Sequence, residues 1–289
     1  MQFDAFWPVF TGIILTPWGL AVLGLCVGSF LNVVVHRLPR MMEAQWQQDA
    51  AHALGQPEPE PAEALTLSKP ASRCPACGHQ IRWYENIPLL SWLALRGKCS
   101  ACGTRISVRY PLVELSTAGL FALCGLHFGA QPTTLLWCGF VAVLVAASLI
   151  DWDTTLLPDD LTLPLLWAGL VAAGLGWTLP LHEALWGAVA GYLSLWSVYW
   201  LFKLTTGKEG MGYGDFKLLA ALGAWLGWSM ILPIVLGSSL IGAVIGIGMK
   251  VTGQLREGVY VPYGPFLAAA GLVVALAGPQ AVLGWLGWA

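Results

Sequence analysis

The chain has 289 residues, 57% of them hydrophobic and only 10% charged, with 16 tryptophans and a mean hydropathy of +0.68. That composition lies far outside soluble usage and identifies an all-α polytopic membrane protein, with no nucleic-acid partner expected. The net charge of −2 says little, because the distribution of charge across the membrane matters more than its sum.

Apolar runs near the roughly 20 residues that cross a bilayer fall at about 11–35, 112–129, 133–150, 160–179, 183–202, 216–232, 234–251 and 265–287, which predicts about eight transmembrane helices. Only Pro233 and its neighbours separate the sixth run from the seventh, so those two could also form one hairpin or a broken helix. The 14 Lys and Arg residues cluster between runs one and two (Arg37 to Arg109), around the fifth-to-sixth loop (Lys203, Lys208, Lys217) and before the last run (Lys250, Arg256). With eight spans and the N-terminus outside, all of them fall on the cytoplasmic side, as the positive-inside rule requires. The opening "MQFDAFWPVF" has Asp4 and no basic n-region, so the first run reads as a retained anchor.

The hydrophilic segment 36–110 divides by composition. Residues 44–69 end in a Pro/Glu run without apolar periodicity and read as a flexible arm. Residues 70–110 carry "CPACGHQ" and "CSACG", so Cys74, Cys77, Cys99 and Cys102 form two C-x2-C pairs with 21 residues between them. Two such loops complete a tetrahedral S4 site for Zn2+. Disulfides or four unrelated thiols are the alternative, and a reducing cytoplasm argues against the disulfides. A closed S4 shell leaves no open coordination position, so the metal is expected to be structural, holding together a small zinc-ribbon-like domain. Cys26, Cys124 and Cys138 sit in apolar runs and read as packing residues.

Ionisable groups beside membrane spans are functional candidates by default. The third run leads straight into "DWDTTLLPDD", with Asp151, Asp153, Asp159 and Asp160, and Asp215 opens the sixth. In the eight-span topology the end of span three and the start of span six face the same side, so Asp151 and Asp215 can lie at similar depth. Two carboxylates in one desolvated site tend to share a proton, the arrangement with which aspartic proteases activate water and polarise a carbonyl. In "GMGYGDFK", Gly212 and Gly214 would let an extended substrate strand approach Asp215. The plainer alternative is a tight loop in which Asp215 caps the next helix.

These stretches resemble the bacterial type IV prepilin peptidases, the leader peptidase/N-methyltransferases of the GxGD aspartic protease family. The resemblance runs through "GSFLNVVVHRLPRMME", the cysteine-bearing segment from Ser72 to Glu114, "IDWDTTLLPDDLTLPLLW" and "GKEGMGYGDFKLLAALGAW". It implies three domains: a first transmembrane helix (1–35), a cytoplasmic zinc-binding domain (36–110, with the arm at 44–69) and a transmembrane peptidase core (111–289). It implies Asp151 and Asp215 as the catalytic pair, with Gly212 and Gly214 in the GxGD motif. The expected activity is removal of the basic leader of type IV prepilins and type II secretion pseudopilins at the cytoplasmic face of the inner membrane. Methylation of the new N-terminal residue, usually Phe, with S-adenosyl-L-methionine follows. Gly97 and Lys98 match a stretch associated with methylation, and read equally well as a turn ahead of the second cysteine pair.

Other features read more plainly. Glu114 is expected as a solvated acid at a helix start. The tryptophans read as interfacial anchors, and Gly237, Gly242, Gly246 and Gly248 as a close helix contact. A proton-coupled transporter would also keep paired aspartates, but it should show repeat-related broken helices and acids near the midplane. A noncatalytic assembly scaffold gives no reason for two aspartates beside glycines.

Overall fold

The computed structural model describes residues 12–56, 65–253 and 261–288. Its regular elements are helical, and the only β pairing among the described residues is two isolated antiparallel bridges, Arg73 with Gln80 and Lys98 with Arg105. The chain forms two compact units, residues 1–142 and 143–289.

In the first unit, α1 (Pro17–Ala53) starts where the Thr16 side chain accepts from the Gly19 amide at 3.2 Å, with Pro17 in the first position. That is the residue pair expected at a helix start. The helix does not stop where the apolar run ends at residue 35. It continues to Ala53, so residues 44–53 of the expected arm are helical, while residues 57–64, which hold the Pro/Glu run, lie outside the described residues. Ala and Gln are strong helix formers, and the stretch "AQWQQDAAHA" needs no apolar face to extend a helix already nucleated. α3 (Arg109–Phe128) is the main packing partner of α1. Gly24 and Gly28, four residues apart, present one smooth stripe to it. A Cβ at Gly24 would stand 2.7 Å from Ala118 Cα, and one at Gly28 2.7 Å from Glu114 Cα, so the backbones approach as small-residue membrane contacts do. Between these helices lie a 3-10 turn (Trp83–Asn86) and the short α2 (Leu90–Ala94).

Arg37 is buried on α1, and its guanidinium donates to Thr66 O and Pro70 O, each at 2.8 Å. Both acceptors are carbonyls, so the charge is solvated by peptide dipoles. The link binds the segment ahead of the cysteines to α1.

α4 (Thr134–Thr154) carries Asp151 and is followed by α5 (Asp159–Gly174), α6 (Leu181–Thr206), α7 (Tyr213–Leu226), α8 (Ile231–Val251), α9 (Gly264–Ala277) and α10 (Pro279–Trp285). In the second unit α7 is the central element, packed on α5, α6 and α9, and every residue from Leu218 to Leu226 is buried. Gly187 of α6 and Gly223 of α7 meet backbone to backbone, leaving no room for a Cβ on either. Trp225 Nε1 donates to Leu165 O at 2.8 Å, tying α7 to α5. The expected glycine contact in α8 is only half formed: Gly242 faces Phe266 and Gly237 lies near Ala270, but Gly246 and Gly248 face open space.

All eight apolar runs are helical, although their lengths differ from the expectation. Among the described residues, five helices are long and apolar enough to cross a membrane: α1, α3, α4, α6, and α8 with the turn before it. α9 and α10, bent by 108° at Gly278, make a sixth if they are one span. α5, with 16 residues, and α7, with 14, are shorter. A helix enclosed by protein, as α7 is, need not span the hydrocarbon by itself. The break between the sixth and seventh runs falls at Gly227 (φ 86°) and the turn Trp228–Met230, with Pro233 inside the first turn of α8, where a proline is tolerated.

Candidate active site and cysteine cluster

Asp151 lies in the last turn of α4 and is 5% exposed; Asp215 is the third residue of α7 and is 8% exposed. Helix ends bring both carboxylates to one place, within electrostatic reach of each other. Asp151 Oδ2 accepts from the Gly264 backbone N–H at 2.9 Å. That amide is the first of α9, one of the free donors at the positive end of a helix. Asp215 reaches back toward the Gly212 amide, as a carboxylate at N3 does in a capping arrangement. Its Oδ1 is nevertheless buried without any hydrogen-bond partner. Asp215 thus sits at N3, where a carboxylate faces the start of its own helix, with Oδ1 left bare. A buried orphan oxygen is costly, and such groups concentrate where a ligand or water is to be engaged.

The surrounding residues hold these groups. Leu157 is wedged between two glycines: a Cβ at Gly214 would stand 2.6 Å from Leu157 Cβ, and one at Gly264 would stand 3.0 Å from Leu157 Cδ1 and 2.6 Å from Asp151 Oδ2. Tyr199, Tyr213 and Phe216 form an aromatic cluster with ring centroids 5.3 to 5.6 Å apart, packing the start of α7 on α6. Lys203 Nζ donates to Glu209 Oε1 at 2.8 Å and to the Tyr199 hydroxyl at 3.1 Å, fixing the loop that leads to Gly212. Lys217 Nζ meets both oxygens of Asp159 at 2.7 Å, which joins the starts of α5 and α7. Asp153 and Asp160 are exposed.

The four predicted thiols also come together. Cys74, Cys77, Cys99 and Cys102 have all Sγ atoms within 4.8 Å of one another, with Cys74 to Cys102 at 3.8 Å and Cys77 to Cys99 at 4.0 Å. Tetrahedral metal–sulfur bonds of about 2.3 Å require sulfurs about 3.8 Å apart, so the set fits a single ion. The two loops are built alike. In the first, Gly78 N donates to Cys74 O and Cys74 N to His79 O, each at 2.9 Å; in the second, Gly103 N donates to Cys99 O at 3.0 Å and Cys99 N to Thr104 O at 2.9 Å. Burial of neither pair is complete, and the Thr104 hydroxyl and amide hold the Cys102 thiol down to about 6. His79 turns away to Glu85 and Ser100, at 3.3 and 3.4 Å.

Gly97 is buried in the turn before Cys99 with φ 66°, and a Cβ there would strike the Trp92 ring at 2.8 Å; Lys98 is exposed. The local structure thus accounts for a glycine at 97 by itself. Glu114 is not solvated: it is 7% exposed, and its Oε2 accepts from the Leu89 amide at 2.8 Å. Asp151 and Asp215 were visible in sequence as acids beside apolar runs, whereas Gly264, Leu157 and the Asp159–Lys217 pair were not.

Two family models match successive parts of the chain. Residues 22–128 match the bacterial peptidase A24 N-terminal domain, and residues 138–247 match the type IV leader peptidase family. Proteins named prepilin leader peptidase/N-methyltransferase are similar over most of their length. The one from Stutzerimonas stutzeri is 56% identical, covering 93% of both chains; that from Pseudomonas aeruginosa is 57% identical, covering 90% of this chain and 89% of its own; that from Pseudomonas putida is 54% identical, covering 90% of each. No solved structure matches the chain. Identity at this level over nine-tenths of the sequence leaves one assignment: the chain belongs to the type IV leader peptidase family.

Proposed function

We propose that this protein removes the leader peptide of type IV prepilins and type II secretion pseudopilins and then methylates the new N-terminal residue, with Asp151 and Asp215 as the catalytic pair. The observation that carries this reading is the buried, unpartnered Oδ1 of Asp215 beside a second buried carboxylate whose own Oδ2 is held by the Gly264 amide. One carboxylate takes a proton from the attacking water while its protonated partner hydrogen-bonds the scissile carbonyl. The Gly264 N–H orients Asp151 and leaves its other oxygen for that exchange. Collapse of the tetrahedral intermediate passes a proton to the leaving amine, releasing the leader carboxylate and a free N-terminal amine.

That amine is the acceptor in the second activity. S-adenosyl-L-methionine supplies the methyl group from its sulfonium, and the amine loses a proton in the exchange. Gly97 and Lys98 are proposed to contribute to this half. The four cysteines hold a structural zinc ion, which is supported by the sulfur spacings and by two loops with the same backbone hydrogen bonds. They lie in the 36–110 domain, inserted between the first transmembrane helix and the 111–289 peptidase core.

The membrane is the bacterial inner membrane, with the N-terminus outside and the aspartates at the cytoplasmic face. Support comes from the placement of all 14 basic residues on one side in the eight-span reading. A basic leader would remain in the cytoplasm while the pilin's apolar segment lies in the bilayer.

Mass spectrometry of a prepilin incubated with the purified, detergent-solubilised protein and S-adenosyl-L-methionine tests the reading. Wild type is expected to remove the leader and add one methyl group, while Asp151→Asn and Asp215→Asn leave the prepilin intact. Cleavage at the wild-type rate by either variant would remove that residue from the pair.

A further inference from the structure

The group that holds Asp151 is a backbone amide, and a backbone amide is aimed by whatever fixes its peptide plane. The Gly264 nitrogen is bonded to the carbonyl carbon of Tyr263, so the orientation of Tyr263 decides where that N–H points. Tyr263 is the N-cap residue of α9, with φ −92° and ψ −28°. Its side chain leaves the active-site aspartates and runs to α8. There its hydroxyl lies 2.7 Å from Ser238 Oγ and 3.1 Å from Ser239 Oγ, and 3.5 Å from Val235 O. Ser238 has no solvent exposure and also donates to Val235 O at 3.1 Å. The hydroxyl thus has a polar seat on a neighbouring helix, buried on its Ser238 side and open on its Ser239 side, and on the buried side an unmet polar group is costly and a met one is rigid.

We infer that Tyr263 is a positioning residue for the peptidase reaction: its hydroxyl, seated on Ser238 and Ser239, fixes the peptide whose Gly264 N–H orients Asp151. The tolerance at that point is small, since even a methyl group on Gly264 would come within 2.6 Å of Asp151 Oδ2. A rotation of the Tyr263–Gly264 peptide would either lose the 2.9 Å hydrogen bond or press the carboxylate out of place. Phenylalanine at 263 would keep the ring and the helix but release the seat, leaving the two serine hydroxyls without the phenol between them.

The inference rests on Asp151 acting in cleavage, and the experiment separates the two claims. The purified full-length protein is assayed for leader removal from a prepilin and, separately, for methylation of a leaderless pilin peptide. Tyr263→Phe is expected to lower kcat for leader removal about tenfold, with KM unchanged, because misplacement of a catalytic group acts on the reacting complex. Methylation of the leaderless peptide should stay within about twofold, since a local positioning fault should not cross to the other activity. Ser238→Ala should lower kcat in the same direction, and the double variant should be no worse than Tyr263→Phe, because both remove one link. A wild-type kcat in Tyr263→Phe overturns the proposal. So does a parallel loss of both activities, which marks a general packing role. Undiminished cleavage by Asp151→Asn would instead remove the reading on which the proposal stands.

Discussion

Leu157 fills the space in front of Gly214, so that a Cβ added to that glycine would stand 2.6 Å from Leu157 Cβ and 3.4 Å from its carbonyl oxygen. Gly212, two residues earlier, is different. Its φ of −82° and ψ of 152° are open to any residue, and the nearest atom to an added Cβ is Asp215 Oδ2 at 3.9 Å. The GxGD motif treats its two glycines alike, but the packing does not.

Gly214→Ala is therefore expected to drive Leu157 toward Gly264 and Asp151 and to cut the cleavage rate about 100-fold, the scale of a misplacement near 1 Å. Gly212→Ala should cost less than about threefold, since it requires no displacement. Single-turnover cleavage of a prepilin, read by mass spectrometry, compares the two. Equal losses would mean that both glycines serve close approach of the substrate backbone, and that the Leu157 contact is incidental.

Glu114 provides a second case in which position in the sequence misled. Its Oε2 accepts from the Leu89 amide 25 residues away at 2.8 Å, and Leu89 itself sits at φ 58°, a conformation L-residues seldom adopt. The carboxylate pins a strained turn to α3. Glu114→Ala removes the acceptor of the part-buried Leu89 amide and should cost about 1–3 kcal/mol, seen as a lower Tm and faster hydrogen exchange at residues 87–90. An unchanged Tm and exchange rate would show that the turn holds without it.

Much of the architecture can be read from one sequence because its causes are local. Apolar runs locate the helices, two C-x2-C loops announce a four-sulfur cluster, and acids beside apolar runs stand out by their cost. What escapes such a reading depends on distant contacts. The amide of Gly264, 113 residues from Asp151, leaves no mark in "VPYGPF" beyond an ordinary turn signal. Glu114 and Arg37 look like helix-start and loop charges, and only the packing of α1, α3 and the intervening segment shows that both are buried. The extent of α1 is hard to see in the sequence because the Pro/Glu run from residue 57 onward follows directly on the Ala/Gln-rich stretch, whose own helical preference carries the helix to Ala53.

The cysteine cluster has its own test. With four sulfurs at tetrahedral spacing, the purified protein should contain about one zinc per chain, and Cys77→Ser or Cys99→Ser should lower that to below about 0.2 because a three-sulfur shell binds much more weakly. Metal content by plasma mass spectrometry decides the first point. Chelation should raise protease sensitivity within residues 70–108, since so small a region has little core of its own, while α6 and α7 stay protected. Zinc-free protein with undisturbed resistance in 70–108 would mean that the thiols fold without a metal.

Glu85 places a pH dependence on the same region. Its Oε2 accepts from the Arg82 amide at 2.8 Å, closing the turn Trp83–Asn86. This hydrogen bond, with smaller contributions from Ser100 and His79, lowers its carboxyl from 4.5 to about 2. A carboxyl whose folded-state value is depressed binds protons more readily when the turn is open. Its stabilisation is thus complete above about pH 4.5 and is lost as the pH falls from there toward 2. Protection factors for residues 80–86 from hydrogen exchange should decline across that window in the wild type. Glu85→Gln, which has an acceptor but no charge, should be less protected at pH 6 and flatter with pH, and comparing the two proteins separates Glu85 from any titration of the neighbouring cysteines. An identical pH profile in the two would assign the whole dependence to the cysteines and none to Glu85.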